Sequence, residues 1–177
     1  RQPLLGEVNK APAELRDWLL DSGSLTQRLQ QASDGQFSVE VLSQSVQLPR
    51  FSERRALALA PRQLALIREV LLFGRGVPWV YARSVIPLQT LTGRLRKLRH
   101  LDSRPLGALL FSDPTMRREP LEWACIPADT NQSLTSKLPP FDQPIWGRRS
   151  VFTLSAKPLL VCEMFLPDFK PNEHPIR

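Results

Sequence analysis

Two apolar runs flank the triplet Gly74-Arg75-Gly76, and this arrangement constrains the fold more than any other part of the chain. Residues 63–73 are largely apolar, and residues 78–86 run back as Pro-Trp-Val-Tyr-Ala-Arg-Ser-Val-Ile before stopping at Pro87. A turn this short needs positive φ, which glycine supplies without strain, so the two runs predict an antiparallel hairpin. A second hairpin is predicted from 149–154 and 158–166 around Ser155-Ala156. Residues 37–48, where Phe37, Val39 and Val41 alternate with polar neighbours, and residues 115–126 read as further strands.

Helices precede and interrupt these strands. Pro12 suits a first helical turn, and Leu15, Trp18 and Leu19 follow on one face until Gly23. Ser24 and Gln27 fit a capping box that starts a second short helix, placing Leu25 at a turn where a side chain can overhang a pocket. Leu91, Leu95 and Leu98 predict an amphipathic helix over 88–100, and Pro105-Leu106-Gly107 opens a short turn or helix. Residues 49–61 and 127–145 read as irregular. Short connections favour antiparallel pairing, so the expected class is α+β with one antiparallel sheet and helices against it. A length of 177 residues suits a single domain, with a core over about 12–167 and a frayed tail over 168–177.

Composition narrows the partners. The chain carries 24 Lys and Arg against 17 Asp and Glu, a formal +7 that points to anions without saying which. The cluster Arg94, Arg96, Lys97, Arg99, His100 and Arg104 lacks interleaved aromatics for base stacking, so it reads as a solvated face rather than a nucleic-acid site. No apolar run reaches the roughly 20 residues of a membrane span, and residues 1–6 lack the apolar run of a secretory signal. Cys125 and Cys162 read as reduced thiols of a cytoplasmic protein, and His100 and His174 have no Cys or His at metal-ligand spacing. P-loop, dinucleotide and serine-hydrolase motifs are absent.

The informative charges lie inside the strands. Arg68 interrupts the face Leu64, Leu66, Val70, Leu72; Arg83 interrupts Trp79, Tyr81, Val85; Glu163 interrupts Leu159, Val161, Phe165. A buried charge without a partner is very costly. Two readings follow: a buried Arg–Glu pair bridging strands, or an enclosed site whose guanidiniums bind carboxylates bidentately. Arg148 and Lys157 are weaker candidates for a direct role.

Six blocks, in order, resemble bacterial chorismate–pyruvate lyase. They are Asp17-Trp18-Leu19-Leu20 with Ser24-Leu25-Thr26; Arg68-Glu69-Val70-Leu71-Leu72; Pro78-Trp79 with Arg83-Ser84-Val85; Pro105-Leu106-Gly107 with Leu110-Phe111; Trp146-Gly147-Arg148-Arg149-Ser150; and Lys157-Pro158-Leu159-Leu160 with Glu163-Met164-Phe165-Leu166-Pro167. The resemblance implies conversion of chorismate to 4-hydroxybenzoate and pyruvate, the entry to the ubiquinone ring, without metal or organic cofactor. It implies a sheet of about six strands with helical flaps over an internal site. It further implies that Arg68 and Arg83 bind the two carboxylates, that Glu163 takes the ring hydroxyl, and that Leu25 and Leu106 wall the pocket, with Arg83 and Glu163 closest to the chemistry. It requires no oligomer and no stable membrane insertion. Residues 43–61 and the long 120–145 segment depart from the family pattern. The competing reading is the effector-binding domain of a transcription regulator that shares this fold.

Overall fold

The computed structural model describes residues 8–129 and 134–173. Helices α1 (Ala13–Leu20) and α2 (Leu25–Ala32) lead into β1 (Phe37–Gln47), α3 (Phe51–Ala56) and the hairpin β2 (Ala65–Gly74) and β3 (Val77–Pro87). A 3-10 helix (Gly93–His100), α4 (Leu106–Ser112), and the short strands β4 (Arg117–Arg118) and β5 (Glu122–Ile126) precede the closing hairpin of β6 (Ile145–Leu154) and β7 (Lys157–Phe165). These strands make one antiparallel sheet in the order β1-β2-β3-β7-β6-β4, with β5 also on β6. The fold is therefore α+β as expected, with seven strands rather than about six. Insertion of β7 between β3 and β6 explains why both its faces are rich in apolar residues.

The first hairpin turns at Arg75 and Gly76, with φ of 49° and 77°. Its ladder slips once. Phe73 faces Pro78, but Leu72 faces Val80, so Trp79 is an extra residue in β3. Gly74 makes room for it: a Cβ there would sit 2.2 Å from the Trp79 ring. Beyond this bulge Arg68 opposes Ser84, and Arg83 opposes Glu69. A one-residue slip turns all later side chains to the other face.

Both faces of the sheet are covered. On one, α1 and α2 contribute Trp18, Leu19, Leu25 and Leu29 to a cluster with Val70, Val80 and Phe165. The 3-10 helix and α4 form an adjoining cluster with Leu66, Ile86, Phe152 and Leu159. On the opposite face, Leu57 packs on Ile67, Val85 and Leu160, while Phe141 and Ile145 pack on Leu71, Tyr81 and Met164.

Four expectations need correction. Residues 49–61 are not wholly irregular: Phe51–Ala56 is helical, and the Arg50 N–H donates to Glu53 at 2.8 Å to start the helix. The leucine stripe is buried, but it sits on a turn and a 3-10 helix. Leu95, Leu98 and Leu101 are spaced by three, the period of that helix. The strand expected over 115–126 is broken between Arg118 and Glu122, where Pro120 supplies no N–H for a ladder. The tail is anchored in part, since the Phe169 ring meets Trp18 edge-on at 4.9 Å and Trp79 at 5.6 Å. The last four residues of the expected frayed tail, and 130–133 of the expected loop, lie outside the described residues.

Candidate active site

A cavity lies where the two clusters on the α1–α2 face meet. The sheet presents two rows of facing residues here. One row is Gln44, Arg68, Ser84, Val161 and Ser150; the other is Val70, Ala82, Glu163 and Arg148. Leu25 and Thr26 of α2 and Leu106, Gly107 and Phe111 of α4 roof these rows. The two helices touch closely: a Cβ on Gly107 would lie 2.7 Å from Thr26 Oγ1. About 50 Å³ between roof and floor is open to the centre of a water molecule.

Three guanidiniums reach the cavity. Arg68 is 2 % exposed. Its Nη2 donates to the carbonyls of Asp102 at 2.8 Å and Arg104 at 3.0 Å, and its Nη1 donates to Gln44 Oε1 at 3.3 Å. Burial lowers its pKa, and the nearby Asp102 offsets only part of that. Arg148 is 3 % exposed. It donates from Nη1 to the Trp18 carbonyl at 2.9 Å and to the Asp21 carbonyl, satisfying orphan acceptors at the end of α1. Its Nε donates to Glu163 Oε1 at 3.2 Å.

Arg118 is the third. Its Nε donates to Ser150 Oγ at 2.8 Å and its Nη1 to the Ser22 carbonyl at 2.9 Å. Its guanidinium carbon stands 4.8 Å from the Phe152 ring centre. Burial, then repulsion from Arg148, brings its pKa down to about 10, with Glu163 and Asp21 partly offsetting both. No carboxylate pairs with Arg118 or Arg68 among the described residues. Three arginines against Glu163 leave the cavity a formal +2 among apolar walls. Such a site favours a small dianion.

Of the residues singled out from the sequence, Leu25, Arg68, Leu106 and Glu163 come together here. Arg83 does not. It lies on the other face, held by Glu53 through Nε–Oε2 at 2.8 Å and Nη2–Oε1 at 3.0 Å, and by Glu69 Oε1 at 3.0 Å. Tyr81 and Ser43 also donate to Glu69. Burial opposes the Arg83 charge, but these carboxylates outweigh it and raise its pKa. Arg83 thus forms a buried ion pair, whereas Arg68 lines the charged cavity. Lys157 is outside the cavity, at the start of β7, donating to Thr92 Oγ1. Arg118 carries no sequence signal, because its strand has two residues and adjacent arginines usually mark an exposed edge.

A chorismate lyase family model matches residues 6–172. The chain belongs to the chorismate lyase family. Among its family relatives, a protein from Aromatoleum aromaticum named probable chorismate pyruvate-lyase is 43% identical, with 89% of this chain and 87% of that protein covered. One of the same name from Azoarcus is 46% identical over 89% of this chain and 86% of its own. The family fold is shared more widely. The effector domain of PhnF from Mycobacterium smegmatis superposes with a TM-score of 0.63 at 15% identity, covering 84% of this chain and 91% of that domain. The C-terminal domain of the histidine utilization repressor from Pseudomonas syringae gives 0.59 at 12% identity over 80% and 99%.

Proposed function

We propose that this member of the family cleaves chorismate to 4-hydroxybenzoate and pyruvate in the cytoplasm, at the head of ubiquinone ring synthesis, as a single domain spanning the chain. The supporting observation is the charge of the cavity: a formal +2 from Arg68, Arg118, Arg148 and Glu163 suits a substrate with two carboxylates and one hydroxyl. All of these groups come from one chain, so the proposal requires no second subunit.

In this reading Arg68 binds the ring carboxylate, at the end of the cavity capped by the 102–104 carbonyls. Arg118, backed by Arg148, binds the enolpyruvyl carboxylate in the role the resemblance assigned to Arg83. Glu163 accepts the ring hydroxyl. The ether bond between ring carbon and enolpyruvyl oxygen breaks, and its electrons leave with the enolpyruvate. The proton on the neighbouring hydroxyl-bearing carbon is lost, the ring becomes aromatic, and the proton taken up by the enolpyruvyl methylene gives pyruvate. Aromatisation supplies the driving force, leaving the protein to position groups and stabilise charge on the departing oxygen. The Arg148 hydrogen bond occupies Glu163 Oε1, which suits orientation of the substrate better than proton abstraction. Leu25, Leu106 and Phe152 exclude water.

The test follows both products at once. With chorismate, 4-hydroxybenzoate absorbance and pyruvate, coupled to lactate dehydrogenase, should rise in equal amounts. Saturable chorismate binding without either product would favour the effector-domain reading that the shared fold suggests.

A further inference from the structure

One corner of the molecule, remote from the cavity lining, combines exposed apolar side chains with unopposed positive charge. Among the described residues, the exposed large hydrophobics are Leu20, Val46, Leu48, Phe51, Leu64 and Val77, and four of these six lie between positions 46 and 64. The β1–β2 ladder ends at Gln47 opposite Ala65, so Leu48 and Leu64 flank the same end of the sheet. Phe51, in the first turn of α3, is 67% exposed and Leu48 is 56% exposed. The Arg54 and Arg55 guanidinium carbons each stand 5.8 Å from the Phe51 ring centre.

The charge is one-sided. Residues 44–64 contain Arg50, Arg54, Arg55 and Arg62 and a single carboxylate, Glu53. Glu53 is buried beneath the sheet and paired with Arg83. Gln44 Nε2 donates to the Arg99 carbonyl at 2.9 Å, tying β1 to the 3-10 helix, where Arg96, Lys97 and Arg99 are exposed.

We propose that this corner docks the protein on an anionic lipid surface. Phe51, Leu48 and Leu64 would enter the boundary between headgroups and acyl chains, and the exposed Arg50, Arg55 and Arg62 would lie among the phosphates, their aliphatic stems beside the apolar residues. Single apolar side chains separated by guanidiniums suit a fluid anionic interface, where each basic group adds its own attraction. The association is peripheral: no described helix is long and apolar enough to cross a membrane.

Flotation of the full chain with phosphatidylglycerol–phosphatidylethanolamine vesicles, against pure phosphatidylcholine vesicles, tests this. Binding should be confined to the anionic vesicles and fall as salt rises. Changing Arg50, Arg55 and Arg62 together to Gln should weaken it by about a hundredfold, since each basic group near such a surface contributes roughly fivefold. Leu48→Ser with Phe51→Ser should weaken it roughly tenfold or more, by removing the apolar area that enters the lipid. Equal binding to both vesicle types, no binding at low salt, or unchanged affinity of the triple variant would overturn the proposal. So would sedimentation showing a dimer that Phe51→Ser abolishes while vesicles go unbound. Circular dichroism of each variant separates these outcomes from misfolding, and none of the altered residues touches the cavity.

Discussion

Arg68 and Arg83 lie on opposite faces of the sheet although they belong to the two strands of one hairpin. The tight turn alone would set Arg68 directly across from Arg83, on a shared face. Trp79, the bulged residue, shifts the pairing so that Arg68 opposes Ser84. One arginine therefore reaches the cavity, and the other is locked between Glu53 and Glu69.

Arg83→Ala should be a stability variant above all. It would leave the buried Glu53 carboxylate and the partly buried Glu69 without their cation, and breaking such a pair costs about 3–5 kcal/mol. Urea unfolding should show this loss. Adding Glu53→Ala should recover part of it, because the stranded charge is then gone; no recovery would contradict the assigned pairing.

The same network sets acid sensitivity. Burial works against ionisation of Glu53, but hydrogen bonds from Arg83 and the Arg50 N–H outweigh it and hold its pKa below the ordinary 4.5. Glu69 is held low too: burial opposes it, but hydrogen bonds from Tyr81, Ser43 and Arg83 prevail. A carboxyl with a depressed folded pKa stabilises fully above its unfolded value, and that stabilisation disappears as pH falls through the folded one. Unfolding free energy should therefore decline below about pH 4.5, and less steeply in Glu53→Gln.

Arg118→Ala should leave the fold intact and lower kcat/KM for chorismate by about 10²–10³, the usual loss for one donor aimed at developing charge. Binding of 4-hydroxybenzoate, which has only one carboxylate, should change far less because Arg68 and Glu163 remain. Calorimetric titration alongside kinetics separates the two effects. Equal loss for substrate and product would place Arg118 in general packing instead.

Glu163→Gln should keep turnover within roughly tenfold of the parent, since a neutral amide can still accept the ring hydroxyl. A loss beyond about 10³ would make Glu163 the general base.

Gly107 controls how tightly the roof closes. Gly107→Ala places a methyl group 2.7 Å from Thr26 Oγ1, so the α2 and α4 segments should stand apart and product affinity should fall by about 5- to 100-fold, the range of a modest overpacking cost. Thr26→Ala in the same chain removes the obstructing oxygen and should restore affinity. Titration of 4-hydroxybenzoate into both variants reads this directly.

Much of the fold follows from local rules. The Gly74-Arg75-Gly76 turn, the second hairpin, the joint between α1 and α2, and Ser24 accepting the Gln27 N–H at 3.2 Å are all legible in the chain. So is the burial of Arg68 and Glu163, because a charge inside an apolar strand face must be enclosed and compensated. Period-two alternation tells which residues of a strand share a face, but in β3 both faces are apolar and covered, so it does not tell which face meets the cavity. That depended on Trp79, an extra residue accommodated by the missing side chain of Gly74. Arg118 was decided further away still. A two-residue strand has too little pattern to read, and only pairing with Thr153 and Phe152 sets Arg118 at the cavity. The sequence by itself determined that charges are buried in an antiparallel sheet; register, a contact between distant strands, decided which ones face the cavity.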